Sequence, residues 1–499
     1  MAIPKLDVLS VTAADLRDLL QAKQVNSVQL VKTYLSQIAE HDAALNAFIC
    51  LPPEQNVVAT AALLDKERLE GRVRGPLHGI PVVLKDCFVS AEDLGMSTTA
   101  GSWALVGAKS SKNSAMVQKL VDAGLIILGK TNMTEFAGMK MTMMMPGWSG
   151  YGGQTISPYA GKIEDGETIL GHSAPGGSST GSAVAVAAGF SPVAIGAETI
   201  GSIITPASRA ALYALKPTVG VQDVAGSYSL TDFFDSPGPM AKCAADVQAL
   251  LEVMLRREFL RSGFGEWKDV SIGFADPQVW KMAGAMCRQH EGTAEEMESK
   301  YISCVDNLKS TACQLHYPIS IPDISVLTVD EEDAIMPIAF WEFKNICIPR
   351  FLEAFDECPV RNLEDIVRFN QQNKDKAMPE PYTEQGDIIK AFENVDTEEN
   401  VARLKDGLRK KARSVLEPVF QDNGINIIAA PADSSLCIHA AAAGYPIATV
   451  PLGQLTYNQR PFGLCLMARD GYEEALLQFM RLYESVAPPR PIPQRLGRA

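Results

Sequence analysis

Two serines in small-residue loops and one lysine after an apolar run carry the chemistry of this chain. The first loop reads Gly176-Gly177-Ser178-Ser179-Thr180-Gly181-Ser182 and the second Ile200-Gly201-Ser202-Ile203. The lysine is Lys85, in Leu84-Lys85-Asp86. A serine hydroxyl attacks a carbonyl well only when a base takes its proton. A lysine titrates near about 10.4 and must be held neutral to serve as that base. Burial beside uncharged hydroxyls does so. The set therefore points to nucleophilic acyl transfer without histidine. Each member alone has a plain structural alternative. Lys85 could be solvated or ion-paired, the glycines could serve tight packing, and Asp86 could hold a local amide or arginine.

These groups need elements to position them. Thr12 and Asp15 have capping-box spacing ahead of Leu16, Leu19 and Leu20, which predicts a first helix. Leu30, Val31, Tyr34, Leu35 and Ile38 continue the helical period in a second. A third is expected over residues 56–70, with Ala59, Leu63, Leu64 and Leu69 partly buried. A short strand over 82–84 delivers Lys85, and 126–130 reads as another. A small-residue helix over 182–188 and a strand over 193–196 lead the chain to Gly201 and Ser202. Alternating strands and helices predict an α/β fold, a single large mixed sheet covered by helices on both faces. Met139, Met141, Met143, Met144 and Met145 form a cluster that reads as adaptable core filling or as an apolar substrate wall. Residues 260–420 are more polar, and 374–396 read as a surface excursion. Apolar runs return at 425–431 and 445–452, a helix is expected over 471–484, and prolines stiffen the end.

Composition narrows the class. A net charge of -14, from 45 basic and 59 acidic residues, disfavours nucleic-acid binding. A hydrophobic content of 46% is enough for a large core. The first residues carry charges where a secretory signal would be apolar, and the run 183–197 is broken by Gly189 and Pro192. The expectation is a cytoplasmic protein with no membrane span. Ten scattered cysteines read as reduced thiols, and six histidines lack metal-site spacing. No metal and no cofactor are expected.

Taken together, the motifs resemble the amidase signature family. The matching stretches are Arg74-Gly75-Pro76-Leu77-His78-Gly79-Ile80-Pro81-Val82-Val83-Leu84-Lys85-Asp86, the two serine loops, Leu215-Lys216-Pro217-Thr218, Gly444-Tyr445-Pro446 and Arg460-Pro461-Phe462-Gly463-Leu464. The resemblance implies a Ser–cis-Ser–Lys triad. Ser202 would be the nucleophile, Ser178 the relay in a cis peptide 24 residues earlier, and Lys85 the base. It also implies an oxyanion hole from the backbone of Thr199, Ile200, Gly201 and Ser202, with Ser179 supporting the lysine. Met144, Met145 and Trp148, and from the middle region Phe340 and Phe343, are the candidate substrate contacts. The implied substrate is a small or medium amide with an apolar acyl part, cleaved to a carboxylate and ammonia or an amine. A homodimer is the implied assembly. The implied layout is one domain over 1–490, with the signature core in 60–220, a substrate-side region in 260–420 and a tail over 491–499.

The chain departs from the family pattern in its second loop. Ile200 stands where glycine is common, and Ile204 where arginine is common, which removes an expected support near Glu198. Thr180 replaces another common glycine, and Arg209-Ala210-Ala211 replaces Phe-Cys-Gly. An acyl-transferring or amidotransferase-related member, or a silent binding protein on this scaffold, is the alternative reading.

Overall fold

A computed structural model describes residues 6–259, 265–281 and 283–496. Parts of the expected termini and middle region (1–5, 260–264, 282 and 497–499) lie outside the described residues. Eleven strands build one mixed sheet. In chain order they are β1 (Phe48–Cys50), β2 (Pro81–Lys85), β3 (Ile126–Thr131), β4 (Val193–Glu198), β5 (Tyr213–Lys216), β6 (Ser236–Ala241), β7 (Ser271–Ala275), β8 (Gln314–Ile319), β9 (Ile427–Pro431), β10 (Ile447–Gln454) and β11 (Pro461–Met467). Across the sheet they run β1-β3-β2-β4-β6-β5-β10-β11-β9-β7-β8.

Register explains how distant motifs meet. β2 lies parallel between β3 and β4, with Leu84 opposite both Lys130 and Ile195. The carboxyl ends of β2 and β4 therefore share one edge, where open α/β sheets place their ligands. Lys85 ends β2 there, and β4 feeds the turn 199–202 there. The centre of the sheet, from β6 through β5 and β10 to β11, is antiparallel.

Both faces are packed, as the pattern predicts. Along β9, Ile427 and Ala429 join one apolar cluster and Ile428 and Ala430 the other. Leu464 and Leu466 alternate with Cys465 and Met467 along β11 in the same way. Period-two alternation with apolar residues on both sides means a strand covered on both faces. One cover includes the helices Thr293–Lys309 and Glu473–Val486, the other Glu398–Asp422 and Leu436–Ala443.

Local signals worked well at the helix starts. Thr12 and Asp15 form the capping box of Ala13–Gln21, and Asn26 with Gln29 forms that of Ser27–Leu45. The third helix, Glu54–Leu69, turns a different face inward: Val57, Ala61 and Leu64 are buried, while Ala59, Leu63 and Leu69 are exposed. Residues 374–396 are no plain surface excursion. They contain the helix Gly386–Glu393, which buries Ile388 and Ala391 in the main core. The proline-rich end is tied down. Arg490 donates to Tyr159 Oη at 3.0 Å and to Leu9 O at 2.6 Å.

Candidate active site

Lys85 and Ser178 meet through their side chains, and the Ser202 turn joins them through the main chain. Lys85 Nζ donates to Ser178 Oγ at 2.7 Å and to Ala197 O at 3.0 Å. The Gly177–Ser178 peptide is cis. Ser179 N–H donates to Ser202 O at 3.1 Å, which joins the two serine loops through the main chain. Lys85, Ser178 and Ser202 are all buried, Ser202 retaining 7% exposure. Burial lowers the Lys85 pKa, opposed by the more distant charges of Cys87, Asp235 and Glu198. Among the described residues Lys85 makes no ion pair within 4.0 Å. A buried amine beside a hydroxyl and a carbonyl is an environment that favours its neutral, proton-accepting form.

Small residues make this convergence fit. The helix Thr180–Ala187 is wholly buried. A Cβ on Gly181 would overlap the Ala47 carbonyl oxygen and lie 2.6 Å from Asn132 N. Only glycine lets this helix start so close to the end of β3. Ser179 Oγ donates to Ala197 O at 3.0 Å and accepts from Ala197 N–H at 3.2 Å. Ser179 Oγ and Lys85 Nζ thus donate to the same carbonyl.

The turn before Ser202 is shaped by two carboxylates. Glu198 accepts from Ile203 N–H at 2.6 Å and Ile204 N–H at 2.9 Å, and also from Gly201 N–H. These donors open the helix Ile204–Arg209, where a negative charge is favoured. Burial raises the Glu198 pKa, and the charge of Lys216 opposes that rise. The support that Ile204 cannot give is thus replaced by main-chain donors and by Lys216, itself lowered to about 8 by burial. Gly201 N–H lies in the same turn, near the Glu198 carboxylate. Its φ of +75° explains why a glycine sits there.

Asp235 is the second carboxylate, and the motifs did not reveal it. It bonds the Thr199 hydroxyl and accepts from Leu230 N–H at 2.7 Å. Burial pushes it up to about 6, against the pull of these donors and of Lys85. A buried acid in Phe233-Phe234-Asp235-Ser236-Pro237 was its only sequence signal. Asp86 fulfils the local-amide reading. It accepts from Thr99 N–H at 3.1 Å and faces the charge of Lys130.

The candidate substrate contacts divide. Met144, Met145 and Trp148 are buried, and their segment lies against the serine loop at Pro146, whose Cβ a Cβ on Gly177 would meet at 2.9 Å. Tyr382, from the supposed excursion, packs its ring 4.5 Å from Trp148, and its hydroxyl accepts from Met145 N–H at 3.3 Å. Phe343 lies fully buried in an aromatic cluster with Phe136 and Tyr228. Phe340 packs, partly buried, against the same core. Glu164, Glu167 and His290 could hold a cation, their ligand atoms lying within 4.8 Å of one another. Glu167 already accepts from Ser173 and Thr168.

Comparison with known proteins agrees with this geometry. Residues 29–399 match the Amidase family. A probable amidase of Arabidopsis thaliana is 29% identical over 89% of this chain and 83% of its own length. The crystal structure of the native peptide amidase from Stenotrophomonas maltophilia superposes with a TM-score of 0.82. It is 29% identical and covers 98% of this chain and 99% of its own. A glutamyl-tRNA(Gln) amidotransferase component of Thermobifida fusca is 36% identical, but over only 49% of this chain and 46% of its own. Long matches go to amidases and the amidotransferase match is partial, so the chain belongs to the amidase family and is an amide-bond hydrolase.

Proposed function

We propose that Ser202 attacks the carbonyl carbon of a carboxamide while Ser178 passes its proton to neutral Lys85. The observation that carries this reading is the buried 2.7 Å hydrogen bond from Lys85 Nζ to Ser178 Oγ. Collapse of the tetrahedral intermediate expels ammonia or an amine, protonated from Lys85 through Ser178. An acyl ester on Ser202 remains. Water then attacks that ester by the same relay, releasing the carboxylate and restoring the Ser202 hydroxyl. The N–H groups of Thr199, Ile200, Gly201 and Ser202 are the donors assigned to the developing oxyanion. Asp235 fixes the turn through Thr199, and Ser179 holds Lys85 through Ala197 O.

The substrate assigned is a small or medium amide with an apolar acyl part, in keeping with the wall of Met144, Met145, Trp148 and Tyr382. The likeness to a peptide amidase adds peptide amides to the candidates. We read residues 1–490 as one catalytic domain with its signature core in 60–220, its substrate side in 260–420 and a tail beyond 490. Ten free cysteines support a reducing, cytoplasmic setting. The homodimer is carried by family resemblance and is checked by light scattering. A panel of aliphatic, aromatic and peptide carboxamides tests the reaction. Release of ammonia with apolar amides, absent in Ser202→Ala, is expected. Undiminished release by Ser202→Ala overturns the assignment of the nucleophile.

A further inference from the structure

We propose that Arg209 is a positioning residue for the serine relay, a clamp that holds the Gly176–Ser178 loop against the turn carrying Ser202. The inference rests on the roles given above to Ser178 and Ser202. Arg209 ends the helix Ile204–Arg209, which starts two residues after Ser202. Its side chain is 1% exposed, and both terminal nitrogens of the buried guanidinium are engaged while Nε has no partner. Nη1 donates to Gly171 O and, at 2.9 Å, to Ala174 O. Nη2 donates to Leu170 O at 2.7 Å and to Asp433 Oδ1 at 3.0 Å.

Those three carbonyls need such a partner. Residues 170–174 form neither helix nor strand, and 171–174 are buried. Their carbonyls have no ladder to join, and an unpaired buried carbonyl is costly. Arg209 satisfies them from the element that follows the nucleophile. Two residues later the chain reaches Gly176, where a Cβ would lie 3.0 Å from both Arg209 Cδ and Pro206 N. The entering loop thus rests directly on the helix, and Ser178 follows within two residues.

A second arginine grips the same segment. Asp433 Oδ2 accepts from Arg460 Nη1 at 3.0 Å, and Arg460 Nη2 lies 2.9 Å from His172 Nδ1. Burial and the Arg460 charge push His172 down to about 4, so its ring is neutral and can accept that bond. Asp433 is the shared counter-ion of both clamps. Downstream of Ser178, the bond from Ser179 N–H to Ser202 O ties the loop again. Ser178 is therefore anchored to the Ser202 element from both sides, and a tether of this kind sets the distance over which the proton moves.

The test compares Arg209→Met, Arg209→Lys and the double variant Arg209→Met/Asp433→Asn with the native enzyme. Reactive sites are counted by complete labelling with a fluorophosphonate serine probe. The expected result is a fall in kcat per labelled site of roughly 10²-fold in Arg209→Met with KM unchanged, the scale of a small misplacement. Asp433 keeps Arg460 as its partner in Arg209→Met, and the double variant weakens that second grip as well, so its kcat per labelled site falls at least as far. Arg209→Lys, which keeps charge and some donors, recovers part of kcat. A double variant with native kcat per labelled site overturns the proposal, as does a loss carried by KM. Ser202→Ala separates the two readings. Turnover surviving there overturns the nucleophile assignment. An inactive Ser202→Ala beside Arg209 variants of native kcat overturns the clamp alone.

Discussion

Replacing Lys85 by methionine moves activity and one component of stability in opposite directions. Methionine keeps the buried apolar stem and removes the amine. A positioned proton-transfer group contributes about 10²–10⁴-fold, so kcat/KM falls by that factor. At 1.36 kcal/mol per decade this is about 3–5 kcal/mol of transition-state stabilisation. The two hydrogen bonds of Lys85 Nζ are also lost, each worth about 0.5–1.5 kcal/mol and insensitive to pH. Ala197 O keeps its bond from Ser179 Oγ and is not orphaned.

The pH-dependent part has the opposite sign. Burial lowers the folded pKa of Lys85 below the unfolded value of about 10.4. Between the two values the unfolded chain holds a proton that the folded chain lacks. Native stability therefore rises with pH across that window and falls as pH drops through it, by about 1.4 kcal/mol per unit. Methionine carries no proton and escapes that penalty. The buried lysines common to both proteins cancel in the difference. Calorimetric Tm values of both proteins, taken between about pH 7 and pH 10, should show the variant gaining on the native enzyme as pH falls. Ammonia release measured in parallel should stay low throughout. A Tm difference independent of pH, or turnover within about tenfold of native, refutes the reasoning that Lys85 is a buried neutral base.

Three further variants probe the surroundings. Asp235→Asn leaves the Thr199 hydroxyl and the Leu230 N–H with a weaker partner, so kcat falls roughly 10–100-fold with KM held. In the native enzyme Asp235 gains its proton as pH falls through about 6, loosening the turn. That component of the acid limb disappears from the pH–rate profile of the variant. Gly201→Ala places a Cβ at φ +75° and 3.0 Å from Thr205 Oγ1. It costs about 1–2 kcal/mol, read as a lower denaturant midpoint at unchanged slope, and lowers kcat. Tyr382→Ala removes the ring against Trp148. KM for amides with bulky apolar acyl groups rises by about 0.5–1.5 kcal/mol of binding, while short amides are little affected.

What the sequence disclosed and what it hid differ by the range of the interactions. Helix starts such as Thr12 and Asn26 are local, because cap and partner lie three residues apart. The strand 82–84 was legible as an apolar run, and parallel pairing then placed Lys85 beside the end of β4. Family spacing points to Ser178 rather than Ser179 as the relay, and Ser178 is the serine whose Oγ accepts from Lys85 Nζ. The inward face of Glu54–Leu69 is not legible in the sequence because its apolar residues spread around the helix, and only tertiary packing selects Val57, Ala61 and Leu64. Residues 374–396 looked solvated by composition, yet Tyr382 reaches Trp148 across more than two hundred residues. Asp235 and Lys216 were hidden for the same reason. Their partners, Thr199 and Glu198, lie on other elements of the fold.

The central claim is that Ser202 carries the acyl group. The most direct measurement is intact mass followed by peptide mapping after rapid acid quench of the enzyme with an activated ester of an apolar acid. The account predicts one acyl mass per chain, located on Ser202, absent in Ser202→Ala and slow to form in Lys85→Met. An acyl group mapped to another residue, or turnover in Ser202→Ala at the native rate, contradicts it.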